Sequence, residues 1–499
     1  MLYAFALICL ILYLLCSLWL IAGTLAQIHL LVKSKRRKSP QPQPATKTIL
    51  PSVTIQIPVY NEQFVIRQLM EAISKIDYPR NLLEVQVLDD STDQTTSIVK
   101  KEAENLASLG MNIVVLHRDI RTGYKAGALQ EALPLCKGEF IAIFDADFIP
   151  PRDFLLRILP HFTNEKVGGV QSRWTHSNLD QNSFTKIQAF LLDSHFNLEQ
   201  NGRAAAGYFL NFNGTAGVWR KACILDAGGW NGDVLTEDLE LSYRAQLKGW
   251  ELRYDNELTV PAELPSDINA LKSQQYRWAK GMAETARRHL RTVLNSTFDP
   301  AKKSHAFFHL LGSLSFVAVL GNIILTIPII AGRHFHDSFD SLAQILLITG
   351  LTLPLMGFYY YTGTQTTITR KNFWLYFPLF LIVYMALSVQ NGIGVLQGLA
   401  GKKSAFVRTP KTNGLNKMAS VYLRGKWTTL NYIELLVTIY VIVAIALCII
   451  WQDYFLLTFL LMLLTGMLIM LSPGIKSLVQ SRANQRILKP QVNTLHSQS

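Results

Sequence analysis

Long apolar runs enclose one long polar stretch in this chain. Residues 1–32 contain no Asp, Glu, Lys or Arg, and a helix that crosses a bilayer needs about 20 apolar residues. Further apolar runs lie near 307–331, 342–361, 373–387, 431–450 and 454–471. Between residues 52 and 300 the rhythm is shorter. Strand-like runs at 53–57, 85–88, 113–116 and 140–144 alternate with helical patterns after Asn61, after Thr92 and from Tyr124 to Leu133. Asn61 and Thr92 read as helix caps, and Pro58 as the end of the first strand. This alternation predicts a largely parallel sheet with helices on both faces. The expected fold class is an α/β, Rossmann-like domain inserted between transmembrane helices of a multi-pass membrane protein. The divisions are a first membrane helix at 1–32, a basic and Pro-rich linker at 33–51, the α/β domain at 52–300, transmembrane and interfacial helices at 301–472, and a polar tail at 473–499.

Charge adds orientation. Lys33, Lys35, Arg36, Arg37 and Lys38 follow the first run directly, and the positive-inside rule places that end in the cytosol. The first run lacks a basic start and a cleavage site, so it reads as a retained anchor. The net charge of +13 sits largely at span borders, which argues against a nucleic-acid partner. Of the five Cys, none pair at metal-ligand spacing and three lie in apolar spans. No disulfide framework or zinc site is expected.

The acidic groups fall at strand ends, where sheets of this kind bind ligands. Asp89 and Asp90 close the second strand, and a carboxylate there can accept from a base N–H or a ribose hydroxyl. Asp145 and Asp147 follow the fourth. In extended chain their side chains point the same way. They can share Mg2+ or Mn2+, whose charge would offset a leaving diphosphate. Lys125 opens a helix, a position that favours phosphate. Tyr60 can stack on a nucleobase, and Glu62 joins it in the donor-binding set. Asp238, in Thr236-Glu237-Asp238, reads as the base for an incoming hydroxyl; helix capping by Thr236 is the competing reading. In Gln274-Gln275-Tyr276-Arg277-Trp278, Arg277 can hold diphosphate and Trp278 a sugar face. The same pair also suits an interfacial helix.

Taken in order, Asp89-Asp90, Asp145-Ala146-Asp147, Thr236-Glu237-Asp238 and Gln274 to Trp278 resemble the family 2 glycosyltransferases. The closer likeness is to membrane-bound processive synthases of cellulose, mannan and related β-glycans. That resemblance implies a GT-A fold and inverting, metal-dependent transfer from a UDP- or GDP-linked sugar. It implies nucleoside contact by Asp89 and Asp90, nucleotide and metal binding by Asp145 and Asp147, and Asp238 as base. Diphosphate and acceptor fall to Arg277 and Trp278, with Glu237 and Gln274 on the acceptor side. Asn213, Gly214 and Thr215 resemble the short loop beside the acceptor. Within 402–418, Phe406, Thr409 and Lys411 fit the gating loop of cellulose synthases. Arg408 departs from it, standing where the cellulose type has Val.

The acceptor implied is a growing polysaccharide. A membrane lipid, as in ceramide glucosyltransferases, is the alternative. A transporter or scaffold with a dead nucleotide domain is disfavoured, because no catalytic carboxylate is missing. A cytosolic donor requires the α/β domain and the loop near Arg408 to share a side, at the plasma membrane or a bacterial inner membrane. Residues 373–399 are therefore expected to lie along the interface or to re-enter.

Overall fold

The computed structural model describes residues 2–36, 50–162, 164–363, 370–409, 411 and 427–475. Most of the linker, the second half of the 402–418 loop apart from Lys411, and nearly all of the tail lie outside these residues.

The polar stretch forms one seven-stranded sheet, in the order β3-β2-β1-β4-β6-β5-β7. Its strands are β1 Val53–Val59, β2 Leu83–Asp89, β3 Asn112–His117, β4 Phe140–Ile143, β5 Val167–His176, β6 Gly217–Arg220 and β7 Glu251–Ala262. The first four are parallel, β6 runs antiparallel to β4 and β5, and β7 is parallel to β5. β1 and β2 are buried almost throughout, as strands covered on both faces are, and their buried polar side chains pair across the strands, Thr54 with Glu84 and Gln56 with Gln86. β3 forms the edge and alternates in exposure.

Pro58 does not end β1. The pairing of β1 with β4 stops at Gln56, so the proline lies where only β2 remains alongside, and the missing N–H is tolerated. Nor is Asn61 a helix cap. It holds a left-handed φ of 56°, and its Oδ1 accepts from Thr92 N at 2.8 Å, tying two loops at the strand ends together. The following helix begins at Ile66. The helix expected from Thr92 begins at Thr95, behind Gln94.

The helices that bear on the site are α1 Leu2–Arg36, α2 Tyr124–Ala132, α3 Ser183–Ser194, α4 Glu237–Leu247, α5 Ile268–Asn295, α6 Leu314–Phe335, α7 Arg370–Leu399 and α8 Thr429–Ile450. Among the described residues six helices are long and apolar enough to cross a membrane: Tyr3–Lys35, Leu314–Phe335, Asp337–Gly363, Asn372–Leu399, Thr429–Ile450 and Leu457–Ile475. The chain is a multi-pass membrane protein with its α/β domain between the first two of these. The run expected at 307–331 divides into a short helix, Pro300–Leu310, and α6.

α7 differs from the other five in being 67% buried within the protein over its apolar window. Both its ends meet elements of the α/β domain. Near its start, Phe373 packs on Phe190 of α3 at 5.8 Å. Near its end, Gly394 lies against the Tyr276 ring and Gly398 against the Lys280 carbonyl of α5. A 30-residue helix is about 45 Å long, so its two ends reach well-separated parts of the same domain.

Candidate active site

Strand ends and helix starts converge on one cavity. It is lined by Tyr60, Glu62, Asp90, Lys125, Asp145 and Asp147, by Gly214, Glu237 and Asp238, by Gln274, Arg277 and Trp278, and by Phe406, Arg408, Thr409 and Lys411. Residues more than 350 positions apart in sequence thus share one space, as Tyr60 and Lys411 do. Of the residues expected at the site, Asp89 and Thr215 stand behind this wall, where they support it. Asp89 is fully buried. It accepts from Ser91 N, Thr96 Oγ1 and His117 Nδ1 at 3.0, 2.7 and 2.9 Å, which uses its carboxylate as scaffold for the strand end. Thr215, also fully buried, accepts from Asp145 N at 2.8 Å and so fixes the backbone that carries that carboxylate.

Asp145 and Asp147 converge, although the chain between them is not extended. Phe148 N donates to Asp145 O at 3.0 Å, closing a turn after β4. Lys125 Nζ lies 2.5 Å from Asp145 Oδ1 and also donates to Gly214 O at 3.0 Å. Lys411 Nζ lies 2.7 Å from Asp147 Oδ2 and donates to Glu263 O as well. Each carboxylate therefore already faces an ammonium group. Among the described residues no cluster of three Asp, Glu, His or Cys side chains stands ready for a metal. These two carboxylates would need phosphate oxygens to complete a ligand set, which is the usual habit of Mg2+.

The end of the cavity at Tyr60 and Asp90 is basic as well as acidic. Asp90 takes a bidentate pair from Arg118 at 2.7 and 2.7 Å. Arg121 stands 3.6 Å over the Tyr60 ring and occupies the face that a base would use from that side. Sequence reasoning missed Arg121 and also Trp174, which both line the cavity. Two arginines just before the Gly123 turn were the available signal for the first. Trp174 lies inside a strand and carried none.

Asp238 opens α4. Thr236, the residue before the helix, makes no side-chain cap, so the capping reading falls away. Asp238 Oδ1 accepts from Leu239 N at 2.8 Å. Burial, and then the neighbouring Glu237 carboxylate, push the Asp238 carboxyl up to about 7. Burial likewise raises Glu237, against the pull of Lys125. A base must be deprotonated to act. The kcat/KM of the free enzyme should therefore climb with pH through about 7 and level off above it. Glu62 is also raised to about 7, so the same limb should persist in Glu62→Gln. A limb at the ordinary carboxylate range, or one lost in that variant, would take Asp238 out of this role.

The loop segment sits in the cavity. Arg408 grips Glu62 through Nε and Nη2, each at 2.8 Å. Phe406 stacks on Tyr124 at 5.7 Å and lies 4.4 Å from the Arg277 guanidinium. Arg277 Nη1 donates to Val407 O at 3.2 Å. A bidentate charged pair of this kind contributes about 1.5–3 kcal/mol. Arg408→Val should lower kcat/KM for the donor roughly tenfold or more. Glu62→Gln in the same chain should recover part of that loss, because it removes the stranded charge. Equal kinetics for Arg408→Val and the parent would show that the pair does not hold the loop.

A mixed sheet with paired carboxylates past its strand ends, a buried acid at a helix start and an Arg-Trp helix across the cavity defines a GT-A glycosyltransferase domain. Comparison with known proteins agrees. The model for glycosyltransferase like family 2 matches residues 51–281. Glucomannan 4-beta-mannosyltransferase 7 of Arabidopsis thaliana is 43% identical over 251 residues, 49% of this chain but only 45% of that protein. Glucomannan 4-beta-mannosyltransferase 1 of Oryza sativa subsp. japonica is 35% identical over 385 residues, 74% of this chain and 71% of that protein. A mannosyltransferase from Pyrobaculum calidifontis, solved with GDP-Man and Mn2+, shares the fold. Its TM-score is 0.52 at 21% identity, over 81% of this chain and 100% of its own. The chain belongs to the family 2 glycosyltransferases, with β-glycan synthases among its relatives.

Proposed function

We propose that this protein builds a β-linked mannan-type polysaccharide, transferring mannose from GDP-mannose with inversion, processively, at the cytosolic membrane face. The observation that carries the reading is the meeting of Asp147, Asp238 and Trp278 in one cavity beside Gly214. Two relatives are mannosyltransferases by name, and the solved protein of the same fold holds GDP-Man with Mn2+. Asp238 takes the proton of the acceptor hydroxyl as that oxygen attacks the anomeric carbon. Lys125, released from Asp145, and Arg277 stand where the departing diphosphate needs positive charge. Trp278 presents a flat face to the acceptor sugar. A divalent ion held by Asp145 and Asp147 would supply Lewis-acid neutralisation of the leaving group.

Export fits the placement of α7. With both its ends on the domain's side, it lies along the interface, and the loop after it reaches the cavity without crossing the bilayer. The domain and loop are then cytosolic, as the basic run after α1 requires. The test is incubation of purified membranes with labelled GDP-mannose, GDP-glucose, UDP-glucose and UDP-N-acetylglucosamine, with Mg2+, Mn2+ or a chelator. A β-mannanase-sensitive polymer from GDP-mannose, lost on chelation, is expected. A single-sugar lipid as the only product would replace the polymer reading, and no transfer from any donor would end the assignment.

A further inference from the structure

Away from the cavity, one ion pair is buried where helices of the domain and membrane meet. Lys272 Nζ lies 2.7 Å from each carboxylate oxygen of Glu434. The Glu434 side chain is 1% exposed and that of Lys272 10%. Glu434 belongs to α8, a helix with a mean hydropathy of 2.9 over its apolar window. Lys272 belongs to α5, little more than a turn before Arg277 and Trp278. Asn431 Nδ2 adds a bond to Glu434 Oε2 at 3.4 Å. Gln390 of α7 donates to the Lys272 backbone carbonyl at 2.9 Å. Three helices thus meet at one polar node. One carries the Arg-Trp pair, and the other two flank the loop that enters the cavity.

Desolvating two charges is costly, and a well-packed apolar pair in such a place is often as stable or more so. Ionisable groups at membrane depth usually serve function. The rest of the α5–α7 contact explains what the charges add. A Cβ on Gly394 would stand 2.8 Å from the Tyr276 ring, and one on Gly398 would stand 2.7 Å from the Lys280 carbonyl. The glycines let the two helices touch closely, and Tyr276 Oη donates to Gln397 Oε1 at 2.7 Å across the same contact. That bond ties α5 to α7 and not to α8, and close approach by itself does not choose one axial position over another. Discrete polar bonds do, and buried polar groups that fix register are the best-attested use of such pairs.

We propose that Lys272 and Glu434 are positioning residues for the transfer: their pair holds α5 in one register against α8, and so sets where Trp278 stands relative to the membrane helices. This rests on the polysaccharide synthase reading, since it assigns Trp278 to the acceptor. The consequence falls on acceptor handling and on kcat: α5 carries Trp278 and also Arg277, whose charge answers the departing diphosphate, whereas the carboxylates of the donor pocket hang from the sheet.

The experiment uses the full chain in nanodiscs with Lys272→Met, Glu434→Leu, the double variant, and the reversed pair Lys272→Glu/Glu434→Lys. Either single variant strands a buried charge and should lower the unfolding midpoint. The double variant should recover the midpoint, yet kcat should fall about tenfold or more. Its product should shorten, with donor KM within about twofold of the parent. The reversed pair should bring product length back towards that of the parent. A double variant that polymerises as the parent does would overturn the proposal and leave the pair a purely structural one. So would a donor KM that rises in step with the loss of kcat, or a folded reversed pair with product as short as the double variant's. A parent inactive with every donor sinks the synthase reading, whereas an active parent beside a fully active double variant sinks only this inference.

Discussion

Asp238→Asn should remove transfer almost entirely while GDP-mannose still binds. A positioned base contributes about two to four orders of magnitude in rate, and the nearby carboxyls are engaged elsewhere. Glu237 precedes it on α4, and its charge is engaged by Lys125 and Arg277. Glu240, a turn further on, is tied to Arg244 and to His289 at 2.8 Å. The Asn side chain keeps the size of Asp and can still accept from Leu239 N, as Asp238 Oδ1 does at 2.8 Å. The start of α4 should therefore survive. The expected result is a loss of about three orders of magnitude or more in kcat with little change in nucleotide affinity, measured by labelled transfer and by calorimetry. Turnover within tenfold of the parent would remove Asp238 from catalysis.

Gly214→Ala should cost about a hundredfold in kcat for a different reason. Gly214 has φ +82, and a Cβ built on it would lie 3.0 Å from Asp238 Oδ2 and 3.5 Å from Lys125 Nζ. The left-handed backbone alone costs an L-residue about 1–2 kcal/mol. The larger effect is displacement of the base, since an error of about 1 Å in a reacting group can cost about a hundredfold. Gly207→Ala provides the control. Its φ is +68, and nothing lies within 4 Å of its would-be Cβ. It should lose a similar amount of stability and little kcat. Equal kcat losses in the two variants would show that backbone strain, and not the crowding of Asp238, is responsible.

Much of this site was legible in the chain because strand and helix periodicities put the acidic residues at element ends. Asp90, Asp145, Asp147 and Asp238 all lie where that reasoning placed them. What the sequence concealed is tertiary. Asp89 and Asp90 look equivalent as neighbours, yet three donors from three different segments take Asp89 into the scaffold. The turn at Asp145 to Phe148 is closed by one backbone bond that periodicity does not reveal. Asn61 and Thr92 have the composition of caps, but each found a better partner in the other's loop. Arg408 signalled only a departure from a pattern; its meaning came from Glu62, hundreds of residues upstream.

Three carboxylates of the proposed donor pocket are each balanced by a cation. Lys125 answers Asp145, Lys411 answers Asp147 and Arg408 answers Glu62. A nucleotide diphosphate entering alone would add negative charge to a balanced space, and a bare divalent ion would add positive charge beside two ammonium groups. Entering together they nearly cancel, and the displaced lysines become free to turn towards phosphate. The pocket then behaves as an ion exchanger with a fixed total. Donor and metal should load as one neutral unit, with an affinity that changes far less with ionic strength than that of nucleotide alone.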